Sequence, residues 1–461
     1  MSTETVRIDN PRPRTGRKRS RAESLTDVLQ FPVIVWVLHF LLTQIPASLA
    51  FYFGSIRSVD GDGAGGIVPK DGRLSSAYGN SPEMIRAPLE GWQHWIVEPF
   101  RHWDGTWYSM VAEESYTAYH SAGAAFFPLY PWLMDTGSRI TGLPVETVGY
   151  FISQIAFLGA LIVAYKLVRM DFSERVAQMT LIALAIFPTA FFFSAIYTES
   201  LFLFLSVTTL WAARKNDWLL AVVVCFFATL TRSAGILLGA PLAVLFIQQH
   251  GWDTRRWFPK ALLGIIPPMG LVLFGWHLTR QGLGFLDWQE QQWQWNRFSA
   301  TPWKTFQCAF QGCEDVTVRG FGGTYQTNVP AVSFAWIGDL WDHLSWSYLT
   351  STEFRYWFGQ SQWLDVTVTI LAFILLLIGL KKLPLYYSAW VIPPMIVPLF
   401  APSSVFPLMS MPRFVLPLLP LFVMAVLLLQ PYRKLTWVLA GLSTFVLVIL
   451  TMQFALWYWV A

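Results

Sequence analysis

The sequence predicts an all-α polytopic membrane protein, and three observations carry that prediction. Of the 461 residues, 54% are hydrophobic and only 13% are charged; an average soluble domain carries about 25% charged residues. Apolar segments long enough, or nearly long enough, to cross a bilayer recur along the chain, about eleven in all. Lys and Arg collect in alternate connections between those segments, the distribution that helices strung across a membrane adopt.

Residues 1–29 form a basic arm in which Arg7, Arg12, Arg14, Arg17, Lys18, Arg19 and Arg21 alternate with prolines, and it reads as disordered. No cleavable signal peptide is evident, because the apolar segment that follows exceeds an h-region of about 7–15 residues. One membrane domain is expected over 31–461. Its spans fall near 31–54, 146–167, 175–193, 196–213, 217–231, 234–248, 259–279, 363–380, 385–401, 413–430 and 435–459. Phe187-Pro188 and Pro267-Pro268 mark kinks or helix ends.

With the arm in the cytoplasm, the short connections 166–175, 213–217, 248–260, 381–382 and 431–434 are cytoplasmic, and every one is basic. Together with the arm they hold 19 of the 32 Lys and Arg residues. Two long loops, 55–145 and 281–362, then fall on the non-cytoplasmic side of a plasma or inner membrane, and both carry more acids than bases. The stretch 57–82 is rich in Gly, Ser and Pro and reads as a flexible loop.

A polar and aromatic island, Arg101 to Pro131, interrupts this pattern. It sets Asp104 among His102, Trp103, Trp107 and Tyr108, continues through Glu113 and Glu114, and closes on Phe127-Pro128-Leu129-Tyr130-Pro131. Residues 103–117 read as a short amphipathic helix on the membrane surface, with Trp103, Trp107, Met110, Val111 and Ser115 on one face. Asp104 at its head serves either as an N-cap or as a general base near an acceptor hydroxyl.

Other ionisable groups reach the same side. Glu199 stands at the edge of a span, where a carboxylate is costly and marks a functional site by default; it either orients a substrate hydroxyl or pairs with Arg232. Arg232 and Arg413 are each flanked by apolar segments. They either snorkel to the interface or clamp a phosphate, whose oxygens a planar guanidinium matches. Trp288, Trp293 and Trp295 interleave with glutamines in the second long loop, a surface that suits a sugar ring and equally an interfacial belt.

Standard soluble-enzyme signals are missing. There is no P-loop and no H-E-x-x-H, and Asp60-Gly61-Asp62 sits in the flexible loop. No cytoplasmic domain is large enough for a nucleotide, so an enzyme of this build would take an activated substrate already in the membrane. No metal, no other cofactor and no nucleic-acid partner is expected. Cys308 and Cys313 form a disulfide candidate on the oxidising side, and Cys225 is a small apolar filler.

Four stretches resemble the GPI mannosyltransferase II (PIG-V-like) family within the GT-C class of membrane glycosyltransferases, in a prokaryotic form. They are HWDGTWY (102–108) with AFFPLYP (125–131), FPTAFFFSAIYTESLF (187–202), ATLTRSAGIL (228–237) and SMPRFVLPLLPLF (410–422). Phe187 and Ala234 stand where that family is expected to show Asn, and Ser115 precedes Tyr116 in place of Gly. These departures point to an acceptor other than a GPI precursor. The resemblance implies a GT-C-type bundle that moves a sugar, mannose first, from a polyprenyl- or dolichyl-phosphate donor to a glycan or glycolipid. It makes Asp104 the base and Arg232 and Arg413 the donor-phosphate residues. His102, Trp103, Glu113, Tyr116, Tyr130, Tyr197, Glu199 and Trp293 complete the substrate-binding candidates. Two rivals remain at this level: a lipid-linked sugar transporter or flippase, with its ionisable groups near the midplane, and an assembly subunit whose polar residues point to separate places.

Overall fold

The structure, a computed structural model, describes residues 25–53, 88–117, 122–251, 261–295, 297–311, 317–320, 323–326, 363–403, 406–456 and 460. Most of the basic arm, the whole of the stretch 57–82, and Cys313 lie outside the described residues, as does the side chain of Trp293.

Helices of ten residues or more among the described residues are labelled in order. They are α1 (Leu25–Phe53), α2 (Asp104–Glu114), α3 (Leu129–Thr141), α4 (Val145–Arg169), α5 (Glu174–Ala185), α6 (Glu199–Arg214) and α7 (Trp218–Thr231). Then come α8 (Gly239–His250), α9 (Met269–Arg280), α10 (Pro302–Gln311), α11 (Trp363–Lys382), α12 (Leu385–Ile396), α13 (Leu419–Leu429) and α14 (Arg433–Ala455). A short antiparallel hairpin, β1 (Thr317–Gly320) with β2 (Gly323–Gln326), departs from the all-helical expectation within the second long loop.

Six described segments are long and apolar enough to cross a membrane: Leu29–Phe53, Val145–Arg169, Ser233–His250, Leu262–Arg280, Trp363–Lys382 and Arg433–Ala455. Each of the other expected spans contains a helix, but a shorter or broken one. The segment 175–193 leaves the α-helix at Ala185, just before Phe187-Pro188, and continues as a 3-10 turn over Ala190–Phe193. Proline removes a ladder donor and clashes with the preceding turn, so the break falls where the sequence placed it. Pro267-Pro268 likewise separates the 3-10 turn Leu262–Ile265 from α9.

α6 runs through the middle of the bundle, against α4 and α7. Its contact with α4 depends on a small residue: a Cβ on Gly159 would come within 2.9 Å of the Phe204 ring. In a membrane bundle such close approach replaces the hydrophobic drive that water would supply. At the C-terminal end of α6, Arg214 donates to both Asp171 oxygens at 2.6 Å and to the Tyr386 hydroxyl at 2.8 Å, tying α6 to the α4–α5 corner and to α12. The N-terminal end carries Glu199, about 22 Å away at 1.5 Å per residue. The basic residues Lys166, Arg169, Arg175, Lys381, Lys382, Arg433 and Lys434 belong to the Arg214 end by helix direction.

α2 departs from the sequence expectation. It is not a surface amphipath: Gly105 through Val111 are all buried, around the full circumference of two turns. The turn Ala122–Ala125 and α3, which follow it in sequence, and α4 cover its second face. Glu98 and Arg101 lead into it as a buried pair at 2.6 Å, with Glu146 of α4 3.7 Å from Arg101. Burial raises the pKa of Glu98 despite the Arg101 charge.

Candidate active site

Asp104 is delivered by a strained turn. Trp103 has φ 55° and ψ −119°, a conformation that costs a bulky residue on the order of 1–3 kcal/mol and persists only where the surroundings impose it. Tyr197 imposes it here. Its hydroxyl accepts from the Asp104 N–H at 3.1 Å and donates to the His102 carbonyl at 3.1 Å. His102 is pinned in turn, its Nδ1–H donating to the Phe454 carbonyl at 3.0 Å. Burial pulls the His102 pKa down to about 3, so the ring is neutral. Asp104 itself is the first residue of α2 and not its N-cap, a position that Trp103 takes. The carboxylate turns instead to Arg413, whose Nη1 lies 2.7 Å from Oδ2.

Glu199 opens α6, where the positive end of the helix favours a carboxylate. It is fully buried. Its Oε1 accepts from Arg232 Nη1 at 2.8 Å and from Arg413 Nε at 3.0 Å. The expected Glu199–Arg232 pairing is therefore present, and Arg413 completes it into a chain: Arg232, Glu199, Arg413, Asp104. Arg413 also lies 4.7 Å above the Tyr197 ring centroid and 5.0 Å above that of Phe192.

Two backbone devices set the arginines. Arg232 leaves α7 in an extended conformation, and the chain folds back so tightly that a Cβ on Gly235 would lie 2.4 Å from the Ala228 carbonyl carbon. Only glycine fits there. Ser410, three residues before Arg413, has φ 68°. Snorkelling is overturned for both arginines, since each is turned inward onto a buried carboxylate.

These groups border a cavity of about 180 Å³. Its wall includes Asp104, Tyr108, Phe126, Arg232, Trp295, Arg297, Ser410 and Arg413. Trp295 meets Trp107 and Phe126 edge-on at 6.0 and 5.6 Å. A second, apolar cavity of about 340 Å³ lies among α5, α11, α13 and α14. Val415 is at one end, two residues from Arg413, and Arg175 and Arg433 are at the other.

The remaining sequence candidates fall elsewhere. His102, Trp103 and Tyr197 support the turn beneath Asp104 and do not line the cavity. Tyr116 is buried against Phe274 and donates to the Phe126 carbonyl at 3.1 Å. Tyr130 donates to the Gly149 carbonyl at 2.8 Å. Both are packing residues. Glu113 is exposed near the far end of α2. Cys308 is disulfide-bonded and Cys225 is free and buried. Trp295, two positions after Trp293, is the aromatic of that run that reaches the cavity. Arg297 was missed altogether; its only sequence signal is a lone cation directly after the aromatic and amide run.

Among the described residues no group of three or more His, Cys, Asp or Glu is placed to hold a metal ion. The family profile described as dolichyl-phosphate-mannose-protein mannosyltransferase matches residues 123–276. The match covers 123–276 of the 461 residues, and over that segment the chain is similar to those mannosyltransferases. The family segment holds Glu199 and Arg232, whereas Asp104, Arg297 and Arg413 lie outside it. A GPI mannosyltransferase 2 from Drosophila pseudoobscura pseudoobscura is 28% identical over 198 residues, 40% of this chain. The chain spans 40% of that protein's length. Among solved structures, ArnT from Cupriavidus metallidurans bound to undecaprenyl phosphate superposes with TM-score 0.46 and 14% identity, over 91% of this chain and 63% of that one. The Archaeoglobus fulgidus oligosaccharyltransferase gives TM-score 0.43 and 12% identity, over 95% and 56%. Superpositions this loose carry no argument about the site.

Proposed function

We propose that the protein is an integral-membrane, inverting glycosyltransferase that moves a sugar, mannose first, from a polyprenyl- or dolichyl-phosphate donor to a glycan or glycolipid acceptor. The observation that carries this reading is the convergence of Asp104, Arg232 and Arg413 on one cavity, linked behind its wall by the buried Glu199, from four separate parts of the chain. An assembly subunit has no need of that convergence, and the matching family profile and the relative are both described as mannosyltransferases.

In the proposed reaction Asp104 takes the proton of the acceptor hydroxyl. Arg413 occupies Oδ2, and Oδ1 is left to receive the proton. The acceptor oxygen attacks the anomeric carbon as the bond to the lipid phosphate breaks on the opposite face, so configuration inverts. The bond's electron pair leaves with the phosphate, and fixed cations at Arg232 and Arg413 stabilise the charge it gathers. Glu199 holds those two guanidiniums in register. The leaving group carries a single phosphate, so the arginines supply the counter-charge without a metal. Trp295 offers an aromatic face at the cavity wall, and the apolar cavity below Val415 suits the isoprenoid tail.

In this reading the site faces the non-cytoplasmic side. Helix direction supports this, because Glu199 and the basic Arg214 end are opposite ends of α6.

The test is to supply labelled polyprenyl-phosphate-mannose to the purified protein with a membrane extract and identify the labelled product. Transfer to a lipid-linked glycan or glycolipid is expected. Movement of intact donor across vesicles without transfer would instead favour a flippase.

A further inference from the structure

Arg297 reaches the cavity from the second long loop. Its backbone is fixed by a seam against 400–403: Phe298 N–H donates to the Pro402 carbonyl and Ala300 N–H to the Phe400 carbonyl, each at 3.0 Å, and Arg297 bridges to Ser403. The side chain donates from Nη1 to the Ala401 carbonyl at 2.8 Å and from Nη2 to the Met409 carbonyl at 3.4 Å. The guanidinium lies 5.9 Å from the Phe414 ring centroid. All of these partners are neutral.

The other two arginines differ. Arg413 is paired with two carboxylates and Arg232 with one. Among the described residues Arg297 has no carboxylate within ion-pair distance. The five charged groups Asp104, Glu199, Arg232, Arg297 and Arg413 carry two negative charges and three positive; Asp365, a buried acid of α11, also acts on Arg297 through space without reaching ion-pair distance. A cation held away from water without a counter-ion is costly. Burial, and then the neighbouring charge of Arg413, pull the Arg297 pKa down to about 10. It is still charged at neutral pH, and it is only partly covered because it lines the cavity.

We propose that Arg297 makes the direct contact with the phosphate of the lipid-phosphate donor, while Arg232 and Arg413 stay engaged with Glu199 and Asp104 and act on the leaving charge through space. This rests on the glycosyltransferase reading. A sugar phosphodiester arrives with one negative charge. When the bond between the anomeric carbon and the phosphate oxygen breaks, its electron pair stays on that oxygen and the lipid phosphate leaves with a second charge. The acceptor's proton goes to Asp104. Arg297 is the cation with spare electrostatic capacity for the charge that develops.

Binding of undecaprenyl phosphate, with neutral undecaprenol as control, tests this in the full-length protein. R297Q keeps a donor for the two carbonyls but loses the charge; R297K keeps the charge and loses the fork. R297Q should weaken undecaprenyl phosphate binding by about 10- to 100-fold, the worth of a charge-assisted hydrogen bond. Undecaprenol binding should be unchanged and R297K should recover most of the loss. Wild-type affinity in R297Q overturns the proposal. So does equal loss of phosphate and alcohol binding, or R297K weaker than R297Q, because either result makes Arg297 a loop clamp. If the wild-type protein transfers labelled mannose but binds undecaprenyl phosphate no better than undecaprenol, the Arg297 proposal fails alone. Absence of both transfer and phosphate binding removes the glycosyltransferase reading with it.

Discussion

Glu199 Oε1 accepts from two arginines at once, with the side chain wholly buried. Neutralising it leaves two guanidiniums facing each other inside the protein. E199Q should therefore destabilise the fold by about 3–5 kcal/mol, the usual cost of removing one partner from a buried ion pair. Thermal unfolding in detergent measures this, and an unchanged midpoint would show that the arginines find other anions. His102 makes a prediction about pH. Its folded pKa of about 3 lies below its ordinary 6.5, so the unfolded chain binds more protons between those values. The stabilisation is complete above pH 6.5 and is lost as pH falls toward 3. H102Q should flatten that part of a melting-temperature-against-pH curve. Glu199, Arg232 and Arg413 were legible as candidates because charged residues bordering apolar segments are conspicuous, and Asp104 because it is a carboxylate set among aromatics in a polar island. Arg297 was not, because what singles it out is a seam between residues 297–300 and 400–403, a pairing across about a hundred residues that no local pattern announces.

At the scale of elements, prolines and apolar runs located the helices well, and the break after Ala185 is the clearest instance. The periodicity of 103–117 misled, because a half-polar sequence was read as half-exposed. Thr106 and Ser109 are buried in α2, and Ser109 satisfies its hydroxyl by donating to the Gly105 carbonyl at 2.9 Å. A small polar group that bonds its own helix can sit inside the protein without betraying it in the pattern. The turn after α7 allows a sharper test. G235A would set a methyl group 2.4 Å from backbone atoms of Ala228 and Thr229. The expected cost is about 1–3 kcal/mol, with Arg232 displaced and transfer reduced. A G235A protein with wild-type activity and melting temperature would show that this turn does not position Arg232.

For the whole molecule, the direction of α6 sets the cavity end against the basic end. Glu113 and Arg433 are both exposed, one in each of those regions. In intact cells a membrane-impermeant thiol reagent should label E113C directly and R433C only after permeabilisation; the reverse pattern would invert the proposed topology. The claim on which the account turns is that Asp104 removes the acceptor proton in a cavity that binds a lipid-phosphate sugar. D104N is nearly isosteric and separates chemistry from folding. The decisive measurement is single-turnover transfer from polyprenyl-phosphate-mannose by D104N, with donor binding followed in the same sample. The account predicts transfer slowed by about 10²–10⁴-fold, the usual contribution of a general base, with donor still bound. Transfer by D104N within a few-fold of wild type would contradict it.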